Sequence, residues 1–96
     1  MNTEPAFKLG RIVMTSKIAE LIERDEKFSD EIRTALKRYI KTDWSDMCEE
    51  DIQTNNEALE SGEDRIFAQY ATSFGKIYII TEWDRSCTTI LFADEY

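Results

Sequence analysis

The stretch that decides the fold is residues 65–92, RIFAQYATSFGKIYIITEWDRSCTTILF. Its apolar residues recur with the period of two that is typical of β-strands, so it predicts strands over 65–72, 76–83 and 87–92. Two short turns, one containing Gly75 and one with the sequence DRS, join these strands into hairpins. The middle strand is apolar on both faces and is therefore expected at the centre of an antiparallel sheet.

Upstream of these strands the spacing of apolar residues changes to that of helices. Residues 8–14 still alternate and predict one further strand. Thr15 or Ser16 can cap a first helix, and Ser29 can cap a second. A third helix should begin shortly after residue 42 and end at Gly62, because glycine is favoured just after a helix.

The predicted element order is βαααβββ. It indicates an α+β fold in which an antiparallel sheet of about four strands carries three helices on one face. We expect a flexible tail over residues 1–7 and a single domain over residues 8–96.

The charge of the chain is concentrated in one segment. The chain has 20 acidic and 12 basic residues and a net charge of −8, and nine of the acids lie between Asp43 and Asp64 with no base among them. Such a segment repels nucleic acid and attracts a basic protein surface, but a solvated helix face gives the same pattern. Both interpretations stay open at this point.

On the third predicted helix most of these carboxylates share one side. The candidate partner-binding residues are Asp46, Glu49, Glu50, Glu57 and Glu60. Asp51 and Asn55 project to the opposite, apolar side. Because buried polar groups are normally hydrogen-bonded, we expect these two to be structural struts that tie the helix to a loop or to an end of the sheet.

The sequence does not favour an enzyme. It has no histidine, no glycine-rich phosphate loop and no nucleophile that can be placed beside a base, so we expect no catalytic residues and no cofactor. Glu49, Glu50 and Asp51 are adjacent and would point apart on a helix, so we expect no metal site. Asp84 and Arg85 are expected to be structural, with Asp84 opening a turn and Arg85 paired with a carboxylate.

The remaining composition bears on compartment and partners. No apolar run approaches the ~18 residues that cross a membrane, so we expect no membrane contact. No signal peptide is apparent, and Cys48 and Cys87 lack any paired spacing, which favours a reducing cytoplasmic compartment. The bases are dispersed, so we expect no direct binding of nucleic acid.

The second face of the predicted sheet needs a cover. Tyr78, Ile80 and Trp83 are candidates for this face, and three helices can cover the other face only. A large exposed apolar face usually marks an interface, which suggests a homodimer. Alternatively, the N-terminal tail or Tyr96 folds over the face.

The C-terminal sequence IYIITEWDRSCTTILFADEY, residues 77–96, is the most specific string in the chain. Together with LGRIVMT at 9–15, DW at 43–44 and the pair Asp51 and Asn55, it resembles a family of small acidic proteins of plasmids, phages and other mobile elements, which share the motif TE-x-DRS-x-TT-x-L. The resemblance implies a mobile element in a bacterial host cell.

By analogy with small acidic proteins of that context, the expected function is an anti-CRISPR or anti-restriction inhibitor. The expected partner is the basic surface of a host nuclease or CRISPR effector. The alternative is a non-inhibitory accessory or regulatory protein that acts through protein–protein contacts.

Overall fold

The computed structural model describes residues 5–96 and has the predicted order βαααβββ. In chain order the elements are β1 (Arg11–Met14), α1 (Ser16–Arg24), α2 (Glu26–Ile40), α3 (Glu49–Ser61), β2 (Ile66–Thr72), β3 (Gly75–Thr81), β4 (Cys87–Phe92) and a 3₁₀ helix at Ala93–Glu95. The α+β class, the three helices and the four-stranded sheet are confirmed.

The sheet is mixed, so the prediction of a purely antiparallel sheet is wrong for one pair. Its strand order is β1-β4-β3-β2. The pairs β2–β3 and β3–β4 are antiparallel hairpins, whereas β1 pairs with β4 in parallel. Arg11 N–H donates to Ser86 O at 3.0 Å, and Thr15 N–H donates to Ile90 O at 3.2 Å. Hairpin turns fix the direction of neighbouring strands, but the direction of β1 depends on the path of the chain through all three helices.

The helix caps differ from the prediction at one position. Thr15 Oγ1 accepts a hydrogen bond from Ile18 N–H, as expected for a cap of α1. Asp25 separates α1 from α2, and its Oδ1 accepts from Phe28 N–H at 2.8 Å. The cap of α2 is therefore Asp25 and not Ser29, because a carboxylate at the helix N-terminus also interacts favourably with the helix dipole.

The core lies between the three helices and one face of the sheet. The strands contribute alternate residues, which are Ile66, Ala68, Tyr70, Ile77, Ile79, Ile90 and Phe92. The helices and the loop before α3 contribute Ile18, Phe28, Ile32, Ala35, Tyr39, Trp44, Met47 and Ala58. The strand order places β1 and β2 at opposite edges of the sheet.

The packed domain begins before the expected residue 8. Ala6 N–H donates to Ile40 O at 2.8 Å. The ring of Phe7 packs edge-on against Tyr39, with centroids 5.3 Å apart, and lies 6.3 Å from Trp44. The first four residues of the expected tail lie outside the described residues.

A chain of buried hydroxyl groups crosses the core. Tyr39 and Thr81 share a hydrogen bond of 2.6 Å, and Thr81 and Thr88 share one of 2.7 Å. Thr88 donates its hydroxyl hydrogen to Leu9 O at 2.7 Å. Because each hydroxyl has one hydrogen, Thr81 then donates to Thr88 and Tyr39 donates to Thr81. Burial raises the pKa of Tyr39, so this hydroxyl stays protonated and available as a donor. These hydrogen-bonded hydroxyl groups link α2, β3, β4 and the segment before β1.

Candidate protein-docking surface

The loop between α2 and α3 places two of the expected acidic residues against a base. Arg38 donates from Nε to Asp43 at 3.0 Å and from Nη1 to Asp46 at 2.9 Å. The hydrogen bond with Arg38 is the main reason that the pKa of Asp43 falls from 3.8 to about 2. Asp46 precedes α3 and is paired, so its assignment to the acidic side of the helix is wrong. The pattern missed this because residues 43–48 form a turn and α3 begins only at Glu49.

The carboxylates that remain on α3 and in the turn after it are exposed. We call them the acidic surface, which consists of Glu49, Glu50, Asp51, Glu57, Glu60, Glu63 and Asp64. Within residues 5–96, none of them forms an ion pair. Glu57 accepts a hydrogen bond from Gln53 Nε2 at 3.1 Å. Four of the five expected partner-binding residues therefore belong to this set of carboxylates without an ion pair within residues 5–96, and by the helical period these four share one side of α3.

The charges of the acidic surface suit the beginning of α3 but not its end. Three carboxylates lie in the first turn, where the helix dipole favours negative charge. The last turn of α3 carries no base, and Glu60 lies near a terminus where a carboxylate is unfavourable. Glu57 and Glu60 are also three residues apart, a spacing at which like charges destabilise a helix by a few tenths of a kcal/mol. The sequence of α3 thus keeps charges that lower the stability of the helix.

Asn55 fastens α3 to the edge of the sheet. It is 2% exposed, its Nδ2 donates to Phe67 O at 2.8 Å, and its Oδ1 accepts from Phe67 N–H at 3.0 Å. Because β2 is an edge strand, this amide takes the place of a neighbouring strand at Phe67. The geometry is that of the expected strut.

Asp51 does not have the strut role that was expected for it. Its side chain is exposed, whereas the buried residues of α3 are Asn55 and Ala58. The helix lies beside the edge strand β2, so the stripe that it buries is narrow. One turn before Asn55, the same side of the helix already faces solvent.

A groove of about 430 Å³ lies between α3 and the beginning of β2. It is lined by Met47, Asp51, Thr54, Asn55, Glu57, Asp64, Arg65 and Phe67. Three members of the acidic surface line it, and Arg65 is the basic residue among the lining side chains. The acidic surface therefore has a concave part as well as an exposed helical part.

The turn between β3 and β4 is a structural junction. Asp84 accepts a hydrogen bond from Ser86 N–H at 3.0 Å, which forms the turn as expected. Hydrogen bonding by the side chain of Ser86, and then by its backbone N–H, lowers the pKa of Asp84. Arg85 donates to Asp64 O at 2.6 Å and to Ala58 O at 3.1 Å. Its partners are backbone carbonyls and not the expected carboxylate, and Ala58 O accepts from Arg85 in addition to the N–H of Gly62. Arg85 thereby fixes the C-terminal end of α3.

Gly10 packs directly against this junction. Its φ is +65°, and a Cβ atom at this position would clash with the backbone carbonyl oxygens of Arg85 and Ser86. A side chain is therefore excluded both by conformation and by space. The junction joins the start of β1 to the end of α3.

The second face of the sheet is partly covered by the end of the chain. Tyr78 and Ile80 lie on this face, whereas Trp83 lies in the turn after β3 and is 64% exposed. The ring of Tyr96 stands edge-on to Phe67 at 6.0 Å and to Tyr78 at 5.7 Å. Tyr96 thus lies over part of this face, which was one of the two interpretations left open.

Two polar arrangements had no counterpart in the sequence analysis. The first is the pairing of Arg38 with the loop before α3, which the spacing of residues along a helix does not predict. The second is the buried hydroxyl chain through Thr81 and Thr88. Its signal was present, because both threonines occupy helix-facing positions in strands and belong to the motif that carries the resemblance.

The described part of the chain does not bring together three His, Cys, Asp or Glu side chains that could hold a metal ion. In residues 5–96 we find no helix with the length and apolar character of a membrane span. No family model matches the chain, and no curated protein or solved structure matches it. A functional proposal therefore depends on the surface chemistry described above.

Proposed function

We propose that this protein is a non-enzymatic inhibitor that docks its acidic surface on the basic surface with which a host nuclease, such as a CRISPR effector, binds nucleic acid. The observation that carries the proposal is the set of exposed carboxylates that form no ion pair within residues 5–96. Charges without internal partners are available to basic side chains of another protein. Channels that hold nucleic acid in RNA-guided nucleases are positively charged, and the resemblance to mobile-element proteins supports such a target.

The spacing of the carboxylates suits a surface built for phosphates. With a rise of about 1.5 Å per residue, Glu57 lies about 12 Å along α3 from Glu49 and about 4.5 Å from Glu60. Phosphates of one DNA strand follow each other about every 3.4 Å along the axis. The shorter carboxylate interval is therefore close to one phosphate interval, and the longer one spans about three to four.

The way in which α3 is fastened favours tight docking. Asn55 and Arg85 tie the middle and the end of the helix to backbone groups of the rest of the domain. A surface that is ordered before binding loses little conformational entropy when it binds. The carboxylates are thus presented in a fixed arrangement.

The groove between α3 and β2 gives the surface an anchoring point. Asp51, Glu57 and Asp64 line it, and Phe67 and Met47 contribute apolar contacts. An arginine from the partner can enter such a groove, pair with a carboxylate through two hydrogen bonds and bury its aliphatic part.

A second candidate function is that of an accessory protein which binds a partner through the second face of the sheet. The half-buried rings of Phe67 and Tyr78 favour it, because exposed apolar area on a sheet often marks an interface. In this case the acidic surface only keeps the protein soluble, and charge reversal on α3 leaves partner binding intact.

The test compares two triple variants with the same change in net charge. The first is Glu49→Lys, Glu50→Lys and Glu57→Lys on the acidic surface. The second is Glu20→Lys, Glu23→Lys and Glu26→Lys on the exposed sides of α1 and α2. Each protein is titrated against RNA-guided nucleases in a DNA-cleavage assay, and circular dichroism verifies the folds.

We expect the wild type and the α1–α2 variant to inhibit cleavage and the α3 variant to be inactive. Inhibition should also weaken with salt, since exposed charges are screened over about 8 Å at physiological ionic strength. Equal loss of inhibition in both variants would show that net charge alone matters, and full inhibition by the folded α3 variant would refute the proposal.

A further inference from the structure

The last four residues, 93–96, form a strap that crosses from β4 onto the second face of the sheet. The 3₁₀ helix at Ala93–Glu95 turns the chain, and the ring of Tyr96 then stands over Phe67 and Tyr78. The hydroxyl of Tyr96 accepts a hydrogen bond from Arg65 Nη1 at 2.8 Å. The strap therefore ends in an aromatic contact with the second face.

The attachment of the strap is light. Glu95 Oε1 accepts hydrogen bonds from Thr15 Oγ1 at 3.0 Å and from Phe92 N–H at 2.9 Å. Tyr96 itself is 62% exposed and touches the other rings through their edges. Segments with few buried apolar contacts and exposed hydrogen bonds open at low free energy. The strap can thus leave the sheet without unfolding of the core.

Beneath the strap lies an apolar patch. Ile80 is 7% exposed, and Phe67 and Tyr78 are half-buried with their rings 4.6 Å apart. Alternation along the strands places Leu91 and Val13 on the same face. Release of Tyr96 would leave this patch open to water, where an apolar area of this kind favours association.

The charge distribution indicates what can cover the patch. The four strands that the structure describes contain no Asp or Glu, and their bases, Arg11 and Lys76, lie on the second face by the same alternation. Within residues 5–96, every Asp and Glu of this strongly acidic chain therefore lies outside the strands, in helices, turns or the segment after β4. The second face is the surface through which two copies can approach with the least repulsion.

We propose that the strap is a releasable cover that keeps the protein monomeric, and that its release opens the second face to a second copy in a two-fold dimer. An isologous contact of this kind pairs each aromatic patch with the same patch of the partner. The helices of both copies then lie on the outside, so each acidic surface stays exposed. This inference does not depend on the proposed inhibitory function.

The test is sedimentation velocity at micromolar concentration on the wild type and three variants. Tyr96→Ala removes the ring, Tyr96→Phe keeps the ring and removes the hydrogen bond with Arg65, and Tyr96→Ala combined with Tyr78→Lys places a charge in the exposed patch. We expect a monomeric wild type and a dimeric Tyr96→Ala, with self-association strengthened about tenfold or more by loss of the aromatic cover. Tyr96→Phe should lie between them, and the double variant should be monomeric.

The dependence of dimerisation on salt concentration is an independent test of the same inference. Because two strongly acidic chains repel each other, dimerisation of Tyr96→Ala should strengthen as ionic strength rises. A folded Tyr96→Ala that stays monomeric overturns the inference, as does a wild type that dimerises equally well or a double variant that remains dimeric. If Tyr96→Ala does not fold, Arg65→Ala makes the same comparison, because it removes the hydrogen bond to the Tyr96 hydroxyl and the guanidinium that lies 5.9 Å from the Tyr96 ring.

Discussion

The helices α2 and α3 pack on the same sheet through different kinds of contact. α2 is capped by Asp25, carries bases in its last turn and buries four residues, which are Phe28, Ile32, Ala35 and Tyr39. α3 has no side-chain cap and no base in its last turn, and its buried residues are Asn55 and Ala58. α2 thus follows the rules for a stable amphipathic helix, whereas α3 lacks a side-chain cap at its beginning and a base at its end.

The outward sides of the two helices differ as well. α2 is held by apolar packing, and its Arg38 is paired with two carboxylates. α3 is held by polar bonds from Asn55 and Arg85 to backbone groups, which leave its outward charges without partners. The unpaired charges near the end of α3 lower the stability of the helix. The partner surface that we propose would account for their presence.

The largest effect should come from the apolar packing of the two helices. Ile32→Ala removes a side chain that is 5% exposed and should lower the free energy of unfolding by about 2–5 kcal/mol. Ile52→Ala, at a half-buried position of α3, should lower it by roughly 1 kcal/mol. Urea unfolding measures both values. Equal losses would mean that α3 depends on apolar packing as much as α2 does.

The polar fastening of α3 is tested by a matched pair of variants. Asn55→Ala leaves the N–H and C=O groups of Phe67 without their partner and should lower the free energy of unfolding by about 1–3 kcal/mol. Asp51→Ala, one turn earlier at an exposed position, should change it by less than about 0.5 kcal/mol. Thermal unfolding compares the two. If Asn55→Ala melts like the wild type but loses inhibition, Asn55 is a contact residue and not a strut.

A smaller effect should appear in acid for the loop that joins the two helices. The folded state lowers the pKa of Asp43 from 3.8 to about 2, so its pairing with Arg38 contributes stability that is fully present above pH 3.8 and is lost as the pH falls through about 2. The side chain of Asp43 is 47% exposed, and solvent screening limits the contribution to under about 1 kcal/mol.

Asp43→Asn removes this contribution. The variant should be slightly less stable than the wild type at neutral pH, and the difference should vanish in strong acid. Urea unfolding across this pH range measures both proteins. A difference that persists unchanged into strong acid would mean that the ionised carboxylate is not what stabilises the loop.

The parts of the fold that the sequence predicted are those fixed by local patterns. Alternation and turn residues located β2, β3 and β4, and Gly62 marked the end of α3 through its left-handed conformation. The parallel pairing of β1 with β4 was missed, because alternation reports which residues are buried and not which strand a distant segment will meet. The start of α3 was placed too early because Trp44 and Met47 are buried in a turn and extend the apolar pattern.

The candidate site was predictable to a similar extent. The exposed glutamates of α3 and the polar Asn55 on its inner side follow from the helical period. The partners of Asn55 and Arg85 are backbone groups, which have no signature in the side-chain sequence. The second face was expected to need a cover, and the strap through Tyr96 to Arg65 is a tertiary contact that the sequence offered only as an alternative.

The most direct test of the account is Glu60→Lys, measured on one preparation by urea unfolding and by nuclease inhibition. The substitution removes the repulsion from Glu57 and places a base in the last turn of α3. It should therefore raise the free energy of unfolding by about 0.3–1 kcal/mol while inhibition weakens, and Glu60→Gln should lie between. A variant that is less stable than the wild type, or that is more stable and inhibits equally well, would contradict the claim that α3 keeps these charges for a partner.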